Sequence, residues 1–97
     1  MTAEDITIEH RASDTGGRFV LLDAGREVGE LDYVWQGPGV MNAHHTGVRD
    51  SHTRRGLARR LVDAAAAFAR EEGHRIAPTC SYAIQVLDDD AYDDVRG

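Results

Sequence analysis

Thr53-Arg54-Arg55-Gly56-Leu57-Ala58-Arg59-Arg60-Leu61 is the stretch on which the fold turns, because here a β-like sequence gives way to a helical one. From Arg54 to Glu72, Leu57, Leu61, Ala64, Ala65, Phe68 and Ala69 recur at spacings of three and four and mark one apolar face. Arg59, Arg60, Asp63, Arg70 and Glu71 project elsewhere. Gly73 is placed to end this helix in a left-handed cap.

Upstream, Ile6 and Ile8 alternate with polar neighbours, and Phe19 to Leu22 form an apolar run that ends at the turn-prone Asp23-Ala24-Gly25-Arg26. Glu27 to Trp35 reads as the return strand, Gln36-Gly37-Pro38-Gly39 as a second turn, and Val40 to Val48 as the next strand. Strands joined by loops this short run antiparallel, so the first half is a meander. Downstream, Arg75 to Cys80 is expected to form a short strand relaxed by Pro78, and Tyr82 to Leu87 a short helix. A full helical crossover between Val48 and Arg75 lets the two flanking strands lie parallel in one sheet. The expected fold class is therefore α/β in the α+β sense: a mostly antiparallel sheet, one β-α-β crossover and a short C-terminal helix.

At 97 residues, with 41% apolar content, the sequence fits one small domain over 1–97, its end an acid-rich tail at about 88–97. Lysine is absent, and eleven arginines face seventeen carboxylates for a net charge of −6, which excludes a chain-wide basic surface for nucleic acid. No apolar run reaches the roughly 18–20 residues of a membrane span, and MTAEDITIEH lacks the marks of a signal peptide, so the expected compartment is cytoplasmic. One cysteine, Cys80, allows neither an intramolecular disulfide nor a cysteine-based zinc site. It is either a buried filler or a working thiol.

Glycine and alanine in the opening turn of an otherwise good helix are the sharpest chemical signal. A helix N-terminus presents unpaired backbone N–H groups and partial positive charge, and without a Cβ at Gly56 a phosphate can approach closely. Arg54 and Arg55 add mobile positive charge. The plainer alternative is that Ser51 or Thr53 simply caps the helix and Gly56 is tolerated near a frayed end.

His44-His45-Thr46-Gly47-Val48, then Thr53-Arg54-Arg55-Gly56-Leu57-Ala58-Arg59-Arg60-Leu61, and finally Pro78-Thr79-Cys80-Ser81-Tyr82 together resemble the small GNAT-type N-acetyltransferase-like family. The likeness runs over roughly residues 5 to 90. It implies a compact acetyl-CoA-binding fold whose backbone amides from Arg54 to Ala58, within Thr53 to Ala58, take the pyrophosphate. The pantetheine arm would enter a splay between the strands flanking the helix and meet the backbone of Thr46, Gly47 and Val48. There are two departures. Thr53 stands where the superfamily usually has Gln or Arg, and a chain this short lacks much of the usual acceptor-binding region.

Acetyl transfer to an amine needs a neutral amine, a donor for the developing oxyanion and an acid for the departing thiolate. Cys80, where the second strand of the splay should end, could accept the acetyl group and pass it on, a route the family resemblance makes plausible; under direct amine attack it is only a wall. His44 and His45 are consecutive on a strand and face opposite sides, so one of them, with His45 favoured, can enter the cleft as a base. Tyr82 could protonate the leaving thiolate or simply pack. His52 could help bind an anion. His44, His45, His52 and Asp50 match no zinc spacing, so no metal is expected. The tail from Asp88 to Asp94 could attract a cationic acceptor, but a solvated end is the expectation. The reading is acetyl-CoA-dependent transfer to an unidentified amine. A CoA-binding module without efficient catalysis and a small anion-binding interaction domain are its rivals.

Overall fold

The computed structural model describes residues 5–53 and 55–97. Four antiparallel strands run in sequence order: β1 (Ile6–Ala12), β2 (Gly16–Asp23), β3 (Arg26–Trp35) and β4 (Val40–Val48). The β2–β3 connection is a two-residue turn in which Ala24 and Gly25 both take positive φ, 50° and 84°, as a type I′ hairpin demands. A 3-10 turn at Asp50–His52 leads to helix α1 (Leu57–Glu72), and β5 (Arg75–Ile76) returns parallel to β4 through the pairs Val40–Arg75 and Met41–Ile76. The expected strand over Arg75–Cys80 is thus only two residues long. Helix α2 (Ser81–Leu87) follows.

Helix α1 covers one face of the sheet. Leu57, Leu61, Val62, Ala65, Ala66 and Ala69 are buried against Phe19, Leu21, Leu31, Tyr33, Met41 and Ala43. Ala64 and Phe68, expected on this face, sit at its margin, and Val62 and Ala66 take inner positions. The alanines let the helix approach closely, and each buried Leu or Val contributes about 1.5–3 kcal/mol. Gly73 ends the helix at φ 73°, its N–H bonded to the Ala69 carbonyl, as the sequence predicts.

A register shift in β4 decides which side chains reach the covered face. Tyr33 pairs with Ala43 and Asp32 with His45, so His44 is an extra, unmatched residue. Without this bulge the alternation Met41, Ala43 would place His45 on the α1 side. With it, Thr46 pairs with buried Leu31 and faces α1, while His45 turns away with Asp32.

The aspartates of the acid-rich end are exposed, as expected of a solvated charge run, but the segment that carries them is packed onto the domain. Tyr92 and Val95 are buried, at 4% and 1% exposure. The Ile76 amide donates to Val95 O at 2.6 Å and the Gly97 amide to Ile76 O at 2.9 Å, so the terminus adds a short parallel bridge to β5. Arg70 holds Asp94 through both carboxylate oxygens at 2.6 and 3.1 Å, and the Tyr92 hydroxyl donates to Asp63. No described helix is long and apolar enough to cross a membrane.

Candidate active site

The sheet opens between β4 and the chain after β5. The Ala77 amide donates to Met41 O at 2.8 Å, and the amides of Thr79 and Cys80 share Ala43 O at 3.0 and 3.1 Å. Past Ala43 the described residues make no further backbone bond across this gap, because the chain turns into α2 at Ser81. The expected splay is therefore present, with Cys80 at its apex and half-buried.

Burial by itself would raise the Cys80 thiol pKa. The Ala83 amide, the Thr46 hydroxyl and the amides of Tyr82 and Thr46 outweigh it, and the net shift is downward. The sulfur thus sits among polar hydrogens from β4 and the start of α2, an environment that favours the thiolate. Burial raises the Tyr82 phenol, Arg59 partly offsets this and Asp63 adds to it, so Tyr82 stays protonated near neutrality and can donate. The Tyr82 amide reaches the Cys80 sulfur, while the charges acting on its phenol are Arg59 and Asp63 of α1; His45 does not join them. Its ring lies on the helix-free face, where Nε2 meets Glu30 Oε2 at 2.9 Å. The expectation of a cleft shared by His45 and Cys80 fails because of the His44 bulge.

The opening of α1 differs in detail from the expected turn. Leu57 is the first helical residue, and Gly56 is the N-cap at φ 71°, ψ 12°, a left-handed conformation that glycine adopts without strain. Neither expected cap is one: Thr53 Oγ1 donates to Asp50 O at 3.1 Å, and Ser51 Oγ contacts His52 Nδ1 at 2.7 Å. Among the described residues no side chain caps the helix and none in its first turn is acidic, so the first amides and the positive end of the helix dipole face outward. The plain capping reading is excluded for Ser51 and Thr53. Arg54, expected to add charge here, lies outside the described residues; Arg55 is exposed.

A mainly apolar cavity of about 270 Å³ joins these parts, lined by Val48, His52, Thr53, Gly56, Leu57, Ala58 and Tyr82. It runs from the amide-rich helix end past Val48 to Tyr82, two residues beyond Cys80. Thr46, Val48 and Gly47 follow one another along the β4 edge, with Gly47 turned to the opposite face beside Glu30 and His45. A larger, open hollow of about 720 Å³ lies between the β2–β3 turn and the 3-10 turn, around Arg26, Arg49 and His52. Its only hydroxyl, Ser51, is engaged with His52, and the splay does not open into it, so the smaller cavity is the better candidate. The bond from His52 Nε2 to Asp23 Oδ2 at 2.7 Å, which ties the 3-10 turn to the hairpin, had no signal in the sequence.

The sequence profile of a family described as GCN5-related N-acetyl-transferase matches residues 18–95. Among solved structures, the chain is similar to a GCN5-like protein from Staphylococcus aureus, with 28% identity over 92% of this chain and 87% of that one and a TM-score of 0.71. It shares its fold with a GNAT family acetyltransferase from Elizabethkingia anophelis with acetyl-CoA bound, at 10% identity, 87% and 72% coverage and a TM-score of 0.69. It also shares it with an aminoglycoside N-acetyltransferase in complex with CoA, at 21% identity and a TM-score of 0.61; that match covers 84% of this chain and 60% of the larger one. No curated protein sequence matches it.

Proposed function

Since the chain belongs to the GCN5-related N-acetyltransferases, we propose that it binds acetyl-CoA in the splay and moves the acetyl group to an amine by way of Cys80. The diphosphate would rest on the outward amides of Gly56, Leu57 and Ala58, with Thr53 and Arg55 at its margin, and the pantetheine arm would follow Thr46 to Val48 toward Cys80. The observation that carries this reading is the cavity linking the uncapped Gly56 turn to Tyr82, two residues beyond Cys80 at the apex of the splay. In the first step the Cys80 thiolate attacks the thioester carbonyl carbon, a new C–S bond forms, the bond to the CoA sulfur breaks, and Tyr82 gives its proton to the departing thiolate. In the second, a neutral amine attacks the same carbon, the bond to Cys80 breaks, the thiolate returns, and the amine's surplus proton passes through water to the Tyr82 phenolate. Nothing in this sequence uses His45.

Calorimetry with CoA, then mass spectrometry of the protein after acetyl-CoA, tests the reading. Binding with one acetyl group on Cys80, removed by added amine, supports it. Absence of CoA binding rejects it. CoA binding without efficient transfer is the second reading, favoured by the chain's spanning only 60% of the aminoglycoside enzyme; binding with no turnover across an amine panel would establish it.

A further inference from the structure

We propose that His52 is a positioning residue for the diphosphate turn: its ring, held at both nitrogens, pins the connection between β4 and α1 to the β2–β3 hairpin and so fixes where Thr53 and Gly56 meet the ligand. The proposal deepens the reading that acetyl-CoA binds at the start of α1 and rests on it for its purpose, although the anchor itself needs no ligand.

From Arg49 to Gly56 every described residue is exposed except His52, whose side chain keeps only 15% of its surface in contact with solvent. Nε2 lies 2.7 Å from Asp23 Oδ2, and Nδ1 lies 2.7 Å from Ser51 Oγ. A carboxylate only accepts, so Nε2 carries a hydrogen, and in the neutral ring Nδ1 is left to accept from the Ser51 hydroxyl. The bond to Asp23 thus sets the tautomer that suits Ser51. Asp23 is itself fixed: it pairs with Ile6 and Arg26 at the end of β2, and the Ala24 amide beyond it donates to Asp5 O at 3.0 Å. From this anchor the next residue, Thr53, lines the cavity, and Gly56 follows three positions later. His52 borders both that cavity and the hollow by the hairpin. Outward amides hold a diphosphate well when they already converge on one place. A connection free to move must be ordered at the moment of binding, and that cost is subtracted from affinity. The charge of Asp23 works in the opposite direction, since a carboxylate repels a diphosphate and its loss by charge alone would tighten CoA.

Asp23→Ala and Asp23→Asn separate the two effects, because both remove the charge and only asparagine keeps a partner for the ring. Calorimetry should find CoA about tenfold weaker in Asp23→Ala, the equivalent of one hydrogen bond to a charged group, with pantetheine, which lacks the diphosphate, within about twofold. Asp23→Asn should stay within about threefold of the wild type for both ligands. Amide hydrogen exchange without CoA reads the anchor by itself, at the residue 52 amide, which is bonded to Arg49 O at 2.8 Å. It should exchange about tenfold faster in Asp23→Ala and close to the wild-type rate in Asp23→Asn. His52→Phe, which keeps a ring and loses both bonds, should exchange as Asp23→Ala does and replaces it if the alanine variant fails to fold. Unchanged CoA affinity in Asp23→Ala, an equal loss for CoA and pantetheine, an asparagine variant that behaves like alanine, or exchange that no variant alters would each overturn the proposal. Failure of every one of these proteins, wild type included, to bind CoA ends the acetyl-CoA reading, while the anchor is then decided by the exchange rates alone.

Discussion

Replacing Gly56 separates the cost of its backbone conformation from the cost of filling the space above it. At φ 71° and ψ 12°, an alanine would sit in the left-handed region at about 1–2 kcal/mol, partly offset by the lower entropy of its unfolded chain. Its Cβ would meet no protein atom within 4 Å, so no clash adds to that strain. A net loss of about 1 kcal/mol lowers the melting temperature of a domain this size by about 4–8 °C and leaves it folded at room temperature. Asparagine tolerates this conformation and is a good N-cap, so Gly56→Asn should melt close to the wild type. Either side chain, however, stands where a diphosphate would meet the amides of Gly56, Leu57 and Ala58. Losing two charge-assisted hydrogen bonds at about 1.5 kcal/mol each weakens CoA by roughly a hundredfold. Calorimetry of Gly56→Asn with CoA, and with pantetheine, which lacks the diphosphate, reads this directly, with thermal denaturation as the folding control. Wild-type CoA affinity in the folded variant, or an equal loss for both ligands, would refute the reasoning.

Tyr82→Phe should leave CoA affinity within about twofold while slowing transfer about a hundredfold, the lower end of what a positioned proton donor contributes; single-turnover acetylation of Cys80 checks it, and an unchanged rate removes Tyr82 from the chemistry. His10 stacks on Phe19 with centroids 4.2 Å apart and bonds the Tyr33 hydroxyl at 2.7 Å, and burial lowers its pKa. Because the unfolded state then takes up the proton first, stability should fall as pH drops below the ordinary histidine value of about 6.5. Thermal melts over about pH 7.5 to 5 should show this fall in the wild type and a flatter profile in His10→Gln; an equally steep profile in the variant assigns the acid sensitivity elsewhere. Val95→Ala should cost about 2 kcal/mol, or about 10 °C in melting temperature, since Val95 is buried beneath the acid-rich end. A loss below about 1 °C would mean that this end is not part of the core.

The parts legible in the sequence are those set by local pattern. The four-residue spacing of Leu57, Leu61, Ala65 and Ala69, the terminating Gly73 and the length of the crossover suffice for the helix, its buried face and the parallel return of β5. The Gly56 turn stands out in the sequence as a glycine at the opening of a good helix, but its left-handed backbone and the absence of a cap from Ser51 or Thr53 depend on how the chain leaves the 3-10 turn. The bulge at His44 was not legible, since a residue-by-residue alternation has no mark for an inserted residue, and this one shift exchanged His45 for Thr46 on the cleft side. The tail was legible only in its charges. Its aspartates dominate the composition, while Tyr92 and Val95, three apart, carry the packing against α1 and β5.

A crystal structure of the protein with CoA tests the central claim most directly. The account predicts the diphosphate on the amides of Gly56, Leu57 and Ala58, the pantetheine along Thr46 to Val48, and its sulfur beside Cys80. A ligand held in the hollow near Arg26 and Arg49, or a splay filled by the protein's own side chains at saturating CoA, would contradict it.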